Sequence, residues 1–418
     1  MTSLRPRGRE MILIPLTRDG RPAQPRGLDA LEGRLPAASD CFLFCHGWLC
    51  DEAEARADAE RFFAHLDGAL RPLGDRVAAL RVAVHWPSKS FAEPEAGARN
   101  PAEALRPELL RGLGDLARSQ PGLLGRLVAG LIETEVPLGP EEELELDALL
   151  RRIRDGARAV GAWRDGAAPD GATRGDSGRG GALLSPLHAL SFWLMKRRAG
   201  QVGERLGREL VAPLFAALGD KAPRLHLIGH SFGAKLLASA VMGGLGPQSL
   251  VLLLAAFSAF AFADEVPGTH RPGHYRPVLA GRRLTGPLVA LRSVHDRALH
   301  SLYPAVTGGD QIDRVAAPPG WLGRAREAVV RSAMGAVGAR GVGAPDLDLV
   351  DVQRSGLPRC PAINVDGSRI VTRTEWLIGA HRDIYHAEIA TLVLLAAGLL
   401  EGSPAGARPR RLSPFRTS

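Results

Sequence analysis

The pentapeptide Gly229-His230-Ser231-Phe232-Gly233 contains the serine of this sequence that is best placed for chemistry. It follows the apolar run "RLHLI" and precedes the helix-favouring run "AKLLASA". A serine at such a strand-to-helix turn is raised clear of the sheet, at the positive end of the following helix. The flanking glycines tolerate the crowded backbone because they lack a Cβ. Since the chain has 49 glycines, the position of the motif between strand and helix carries more weight than the motif itself.

A serine hydroxyl is a weak nucleophile and needs a histidine base that a carboxylate orients. In strand-turn-helix serine sites the order along the chain is serine, acid, histidine. The predicted acid is Asp296, which directly follows the strand-like run "PLVALRSVH", although it is also suited to cap a helix in "DRALHSLY". Asp264, after the preceding strand, is the second candidate. Asp310 and Asp313 are weaker because they fall in a later loop.

The predicted base is His381, which follows "WLIGA" and precedes the last helix. His386 is the second candidate, but its position suits the first residue of that helix. We expect His230, the variable residue of the serine motif, to pack or hydrogen-bond locally. The predicted acid comes after His46, His85, His226 and His230, so these histidines do not fit the expected order.

Acyl transfer also needs hydrogen-bond donors directed at the developing oxyanion. The amide of Phe232, next after the serine, is one predicted donor. The second is the amide of Trp48, which follows His46 and Gly47 in the run "FLFCHGW". Gly47 permits the backbone to approach closely there. The expected site is therefore shared between two strand ends that are far apart in the sequence.

The chain resembles serine hydrolases of the α/β-hydrolase fold. "GHSFG" resembles the nucleophile turn of that family, "FLFCHGW" its oxyanion loop, "SVHDRAL" its acid loop and "GAHRDIYHAEIA" its histidine loop. The similarity spans about residues 10–90 and 200–400, and within the family it is greatest to an esterase-like branch of bacterial and fungal hydrolases. The resemblance implies a catalytic triad of Ser231, Asp296 and His381. It does not transfer a substrate.

The chemistry implied is acyl transfer in two steps through an acyl-enzyme, which requires neither a metal nor an organic cofactor. The expected substrate is a small acyl compound, most often a carboxylic ester, so the predicted activity is esterase or lipase-like. Thioesters and amides remain open. Six aromatic residues are predicted to form either an apolar substrate pocket or ordinary core: Trp48, Trp86, Phe232, Phe257, Phe260 and Tyr303.

Three alternatives compete with the predicted esterase. The first is a catalytically silent α/β-hydrolase scaffold that acts as a binding protein. The second is a nucleic-acid binder, suggested by the net charge of +8 and the pI of about 9.9. We disfavour it because the arginines are scattered and only four lysines occur. The third is a phospholipase effector exported without a cleavable signal.

The elements around these residues predict an α/β fold with a mostly parallel, doubly wound sheet, because apolar strand-like runs alternate with helix-like runs. The predicted core comprises residues 1–90 and 200–400. Residues 91–199 read as a mainly helical insertion, a possible lid, with a Gly-rich loop "RDGAAPDGATRGDSGRGGA". A long helix before the serine strand is predicted to kink at 200–203. Residues 401–418 read as a disordered basic tail.

The cysteines and the terminal segments indicate the class of protein. Three of the four cysteines lie in "CFLFCHGWLC", where Cys41 and Cys45 fall within a buried strand and behave as small apolar residues. We therefore expect neither a metal site nor a disulfide framework. The N-terminal apolar run is too short for a signal peptide, and the longest apolar run, at 249–263, is too short to span a membrane. These features predict a cytoplasmic protein of undetermined oligomeric state.

Overall fold

The structure is a computed structural model that describes residues 10–89, 140–141, 186–281, 283–307, 332–375 and 378–400. Its centre is a sheet of eight strands. The strands, numbered along the chain, are β1 (Ile12–Pro15), β2 (Asp40–Cys45), β3 (Ala79–His85), β4 (Arg224–His230), β5 (Ser249–Leu253), β6 (Leu288–Arg292), β7 (Asp346–Asp348) and β8 (Ala362–Asp366).

All neighbouring strands are parallel, in the spatial order β1-β3-β2-β4-β5-β6-β8-β7. Every residue of β2 is buried, as is every residue of β5. Successive residues of a strand point to opposite faces, so both faces of the sheet are covered at its centre. An α/β fold with a parallel sheet was predicted from the alternating runs, and the structure confirms it.

The centre of the sheet also contains a change in the direction of winding. After β2 the chain continues to β3 on one side, and after β4 it continues to β5 on the other side. Open parallel sheets bind ligands in the crevice outside the carboxyl ends of such a strand pair. The loops after β2 and β4 therefore flank the place where topology favours a site.

The helices connect the strands and cover the sheet. The described α-helices are α1 (Arg26–Arg34), α2 (Glu52–Leu70), α3 (Pro186–Arg205), α4 (Ala212–Leu218), α5 (Phe232–Met242), α6 (Arg276–Ala280), α7 (Tyr303–Thr307), α8 (Met334–Val337), α9 (Leu349–Ser355) and α10 (Ala387–Ala396). Helix α2 packs against α10, and α3 packs against α5. Among the described helices, none has the length and apolar character needed to cross a membrane.

Helix α2 begins with a capping box. The Asp51 side chain accepts a bond from the Glu54 amide at 2.9 Å, and the Glu54 carboxylate accepts one from the Asp51 amide at 2.9 Å. Ala53 and Ala57 are exposed. The helical period turns a different stripe of residues inward: Ala55, Ala59, Phe62, Phe63, Leu66 and Leu70.

Helix α3 is continuous through 200–203, so the predicted kink there is wrong. The irregular part comes later, in a π-helical segment at Leu206–Val211 that leads into α4. The glycines serve close packing instead. A Cβ on Gly203 would lie 2.0 Å from the Leu236 carbonyl oxygen, and one on Gly207 would lie 2.1 Å from that of Ala240. These positions bring α3 directly against the backbone of α5.

The predicted domain boundary at residues 199–200 falls inside α3. Met195 and Ala199, before it, belong to the same hydrophobic core as Val202, after it. The remaining expectations for the insertion lie outside the described residues, apart from 140–141. The same is true of the C-terminal tail and of Asp310 and Asp313.

Several short elements were not predicted from the sequence. The run "TEWLIGA" has a strand-like composition, but among its described residues Glu375 and Gly379 make an isolated antiparallel bridge. The strand β7 and the helices α1 and α9 were also missed. They contain three, nine and seven residues, fewer than the window over which a hydrophobic period can be recognised.

Candidate active site

Ser231 lies between the last residue of β4 and the first residue of α5. Its backbone has φ 55° and ψ −119°, a conformation that costs a non-glycine residue about 1–3 kcal/mol. The amide of Ser231 donates to the Leu253 carbonyl at 3.0 Å, and the Ser231 carbonyl accepts from the Ala256 amide at 3.3 Å. These contacts with the end of β5 and its following loop hold the strained turn in place.

The two glycines of the motif are required by contacts with the backbone. A Cβ on Gly229 would lie 2.4 Å from the Ala234 Cα, and one on Gly233 would lie 2.3 Å from the Cys45 carbonyl oxygen. Gly47, in the loop after β2, also cannot carry a side chain, because a Cβ added there would lie 2.9 Å from the Cβ of Ser231. The serine turn and the loop after β2 are thus in direct contact.

Three side chains from distant parts of the sequence form a hydrogen-bonded chain. The Ser231 hydroxyl lies 2.8 Å from Nε2 of His381, and Nδ1 of His381 lies 2.7 Å from Oδ2 of Asp296. The carboxylate can only accept, so Nδ1 carries the proton and Nε2 is free to accept the serine proton. Asp296 is fully buried, whereas the His381 side chain is 13% exposed.

Asp296 also begins the helical segment that follows it. Its Oδ1 accepts a bond from the Leu299 amide at 3.0 Å, while Oδ2 faces His381. The sequence left two roles open for this residue, a partner of the histidine and a helix cap, and its two oxygens make both contacts. The capping contact fixes the carboxylate in the orientation that the histidine needs.

The loops that carry Asp296 and His381 are joined by their backbones. The Ala380 amide donates to the His295 carbonyl at 2.9 Å, and the Ala298 amide donates to the Ile378 carbonyl at 3.1 Å. Gly379 adopts φ 64°, and a Cβ there would lie 2.3 Å from the His295 carbonyl oxygen. The bridged turn before His381 therefore positions the imidazole against the acid loop.

His46 braces the loop after β2. Its Nδ1 donates to the Gly47 carbonyl at 2.8 Å, and its Nε2 accepts from the Trp86 amide at 3.2 Å. Trp86 Nε1 donates in turn to the His46 carbonyl at 3.1 Å. Burial, together with the neighbouring His85, lowers the pKa of His46 to about 3. The ring is therefore neutral and shapes the loop without taking part in the hydrogen-bonded chain at Ser231.

The two predicted amide donors belong to residues next to the Ser231 turn and next to the loop that contacts it. Phe232 is the first residue of α5, where helix geometry offers its amide no acceptor within the helix. Trp48 follows Gly47, the residue whose backbone contacts Ser231, and its ring lies 6.0 Å from that of Phe232. This arrangement places both residues at the crevice between the ends of β2 and β4.

The two second candidates lie outside the hydrogen-bonded chain. Asp264 is exposed and forms an ion pair with Arg276. His386 precedes α10, and its Nε2 contacts Asp383 at 2.9 Å. The sequence order that favoured Asp296 and His381 agrees with the residues that the structure brings to Ser231.

His230 makes a contact that the sequence did not predict. Its Nε2 lies 2.7 Å from the backbone carbonyl of His381, which is 151 positions away, so this hydrogen bond is not local in the sequence. The two rings lie 5.0 Å apart. A contact with a backbone carbonyl leaves no residue pattern, so no sequence signal was available for it.

The six predicted aromatic residues do not form one group. Trp48, Phe232 and Tyr303 belong to a cluster that Phe192 of α3 completes, with ring separations of 4.9–6.0 Å. Trp86 stacks against His46 instead. Phe257 and Phe260 pack in other parts of the core. Phe192 was missed because it lies in the segment assigned to the insertion.

Asp58 links helix α2, on which it lies, to the loop that carries His381. Its Oδ2 lies 3.8 Å from Nη2 of Arg382 and 3.8 Å from Sγ of Cys50. Burial and the Asp58 carboxylate raise the pKa of Tyr385, and the Arg61 guanidinium lies 4.3 Å above its ring. This cluster connects α2 with the loops after β2 and before α10.

A second Ser–His–Asp arrangement lies at the opposite end of the strands. The Ser249 hydroxyl is 3.0 Å from Nδ1 of His226, and Nε2 of His226 is 3.0 Å from Oδ1 of Asp40. All three residues are completely buried. They connect β5, β4 and β2 near their amino ends, so this set ties the sheet together and provides no accessible nucleophile.

Within the described ranges, no group of three or more His, Cys, Asp or Glu side chains is arranged to hold a metal ion. All four cysteines are free thiols, and Cys41, Cys45 and Cys50 are buried. Comparisons with family models, curated proteins and solved structures found no match.

Proposed function

We propose that the protein is a serine hydrolase of the α/β-hydrolase type that cleaves a carboxylic ester. The observation that supports this most strongly is the continuous hydrogen-bonded chain from Ser231 through His381 to Asp296. Its order and tautomer are those required for a serine nucleophile, a general base and an orienting carboxylate. The strained turn at Ser231 and its position at the change in winding direction support the same function.

The reaction begins when Ser231 Oγ bonds to the ester carbonyl carbon and its proton passes to His381 Nε2. Asp296 stabilises the imidazolium that results. The bond to the alcohol oxygen then breaks, and the alcohol leaves with the proton from His381. A water molecule gives a proton to His381 and attacks the acyl carbon, which releases the acid and restores the Ser231 hydroxyl.

The amides of Phe232 and Trp48 stabilise the negative charge on the substrate oxygen in both steps. Removing one donor of this kind typically costs about 3 kcal/mol of transition-state stabilisation. The contact between Gly47 and Ser231 keeps the loop after β2 close enough for this role. Because the donors are backbone groups, a change of the Trp48 side chain leaves the donor itself in place.

Trp48, the partly exposed ring of the aromatic cluster, favours an ester with an apolar acyl or alcohol part, whereas Phe192, Phe232 and Tyr303 are buried in the core. Phe232 and Trp48 supply both the proposed donors and two rings of the cluster, and Phe192 packs against each of them. Apolar substrate groups gain binding free energy in proportion to the area they bury. Esters with short polar groups are therefore the poorer substrates.

Hydrolysis of a panel of aryl and alkyl esters tests this proposal. Wild-type protein is expected to hydrolyse at least one apolar ester, and Ser231→Ala is expected to lose that activity. Ser249→Ala is the matched control, since Ser249 also bonds to a histidine but is completely buried. Wild-type inactivity against all esters, thioesters and amides would favour a silent binding scaffold instead.

A further inference from the structure

We propose that His230 is a positioning residue that fixes the backbone of the general base His381 relative to the nucleophile. The inference rests on the proposed hydrolase function. His230 directly precedes Ser231, and its Nε2 donates to the His381 carbonyl at 2.7 Å. The strand that presents the nucleophile thus also holds the chain that presents the base.

The contact gives the base a short mechanical connection to Ser231. A longer connection runs through the acid loop, where the Ala380 amide bonds to the His295 carbonyl, and from there across β6 and β5 to β4. Small displacements accumulate along such a path. His230 is next to Ser231 in the chain. Its bond to the His381 backbone therefore sets the separation between Ser231 Oγ and His381 Nε2 without the longer path.

The ring of His230 is itself held in place. It is 8% exposed as a residue, and a Cβ on Gly47 would lie only 3.2 Å from its Nδ1, so the loop after β2 packs directly against the ring. The ring of His381 lies 5.0 Å away on another side. These contacts leave the Nε2–H directed at the carbonyl that it binds.

His230 is neutral in this arrangement. Burial holds its pKa well below the ordinary value, and the neighbouring His381, Arg382 and His46 lower it further, while the bond to the His381 carbonyl raises it. A neutral ring donates one proton to the carbonyl and carries no charge that would oppose an imidazolium at His381. The residue can therefore hold the base closely without disfavouring its protonation.

The test compares His230→Leu with His230→Gln, using kcat and KM for an aryl ester. Leucine fills the space without a donor, whereas the glutamine amide can reach the same carbonyl. We expect kcat to fall by on the order of 10²-fold in His230→Leu with KM unchanged, because a misplaced base affects the reaction step. Glutamine is expected to restore most of kcat.

His226→Leu is the matched control, since His226 lies on the same strand, is buried and bonds away from the site. It is expected to lower the melting temperature but not the kcat of folded protein. A wild-type kcat in folded His230→Leu, or equal losses in folded His230→Leu and His230→Gln, would overturn the inference. Failure of the proposed function is distinguishable, because then wild type itself has no esterase activity.

A second measurement does not depend on turnover. The proton between His381 Nδ1 and Asp296 gives a low-field ¹H NMR signal when the two groups are held together. We expect His230→Leu to shift or broaden this signal and His226→Leu to leave it unchanged. An identical signal in wild type and His230→Leu would contradict a positioning role.

Discussion

At the scale of single residues, the site depends on which atom of each side chain faces its neighbour. Asp296 directs one oxygen to His381 and the other to the Leu299 amide, so it fixes both the tautomer of the imidazole and its own orientation. Asp58 and His230 extend this arrangement by connecting the histidine loop to α2 and β4. Asp296, Asp58 and His230 each hold another part of the site in place, and none of them is the residue that faces the Ser231 hydroxyl.

Substitution of Asp296 and substitution of His381 are each expected to lower ester turnover. Asp296→Asn is expected to lower ester turnover by about 10⁴-fold, because an amide no longer holds the imidazole in the required tautomer. His381→Ala is expected to be at least as severe, since no base remains. Steady-state kinetics measures the turnover, and circular dichroism checks that each variant retains the fold.

His386→Ala provides the control for these variants. It removes a histidine only five positions from His381, but one that contacts Asp383 and not Ser231. Activity close to wild type is expected. If His386→Ala abolished turnover while His381→Ala retained it, the assignment of the base would be wrong.

The residues of the hydrogen-bonded chain were accessible to sequence reasoning, but their supports were not. Ser231 directly follows β4 and Asp296 comes shortly after β6, and parallel strands place their carboxyl ends at one edge of the sheet. The order along the chain then selected His381. The contact of His230 with a backbone carbonyl 151 positions away depends only on the folded geometry, as does the insertion of Phe192 into the aromatic cluster.

At the scale of elements, the packing of α3 against α5 positions the turn that presents Ser231. The glycines in α3 suggested a kink from sequence, because glycine weakens a helix. In the structure they permit near contact between two backbones, which no local pattern indicates. The long apolar strands were predictable, whereas β7, with three residues in the sequence "DLD", was not.

Gly203→Ala tests this close packing. The new Cβ would meet the Leu236 carbonyl oxygen at 2.0 Å, so the helices must separate and the protein is expected to lose about 1–3 kcal/mol of unfolding free energy. Chemical denaturation measures the change.

Gly68→Ala is the matched control for Gly203→Ala. Gly68 lies inside α2 with open space around its Cβ position, so alanine is expected to stabilise by about 0.5–1 kcal/mol. Equal effects of the two substitutions would show that helix propensity, and not contact with α5, governs position 203.

At the scale of the whole molecule, the buried histidines make folding stability dependent on pH. Burial lowers the folded-state pKa of His46, His226 and His230 below the ordinary value of 6.5. Three neutral rings thus lie within the core, at both ends of the sheet. In the unfolded chain these rings bind protons at a higher pH than they do in the folded protein.

The sign of the effect follows from proton uptake on unfolding. Since the unfolded state binds more protons, the stability contribution is complete above pH about 6.5 and is lost as the pH falls through and below that value. Each strongly shifted group changes the unfolding free energy by about 1.4 kcal/mol per pH unit within this window. Melting temperatures measured between pH 7.5 and about 4.5 are expected to fall steadily.

His226→Leu separates one histidine from the others. Removing that ring is expected to lower stability near neutral pH and to make its fall with acid less steep. A melting temperature that does not change with pH in wild type would contradict the neutral state assigned to these rings.

Mass spectrometry after treatment with a fluorophosphonate tests most directly whether Ser231 is an activated nucleophile. We expect one phosphonyl adduct per chain, located on Ser231 and absent from both Ser231→Ala and His381→Ala. Absence of an adduct from folded wild-type protein, or its location on another residue, would show that Ser231 is not the nucleophile.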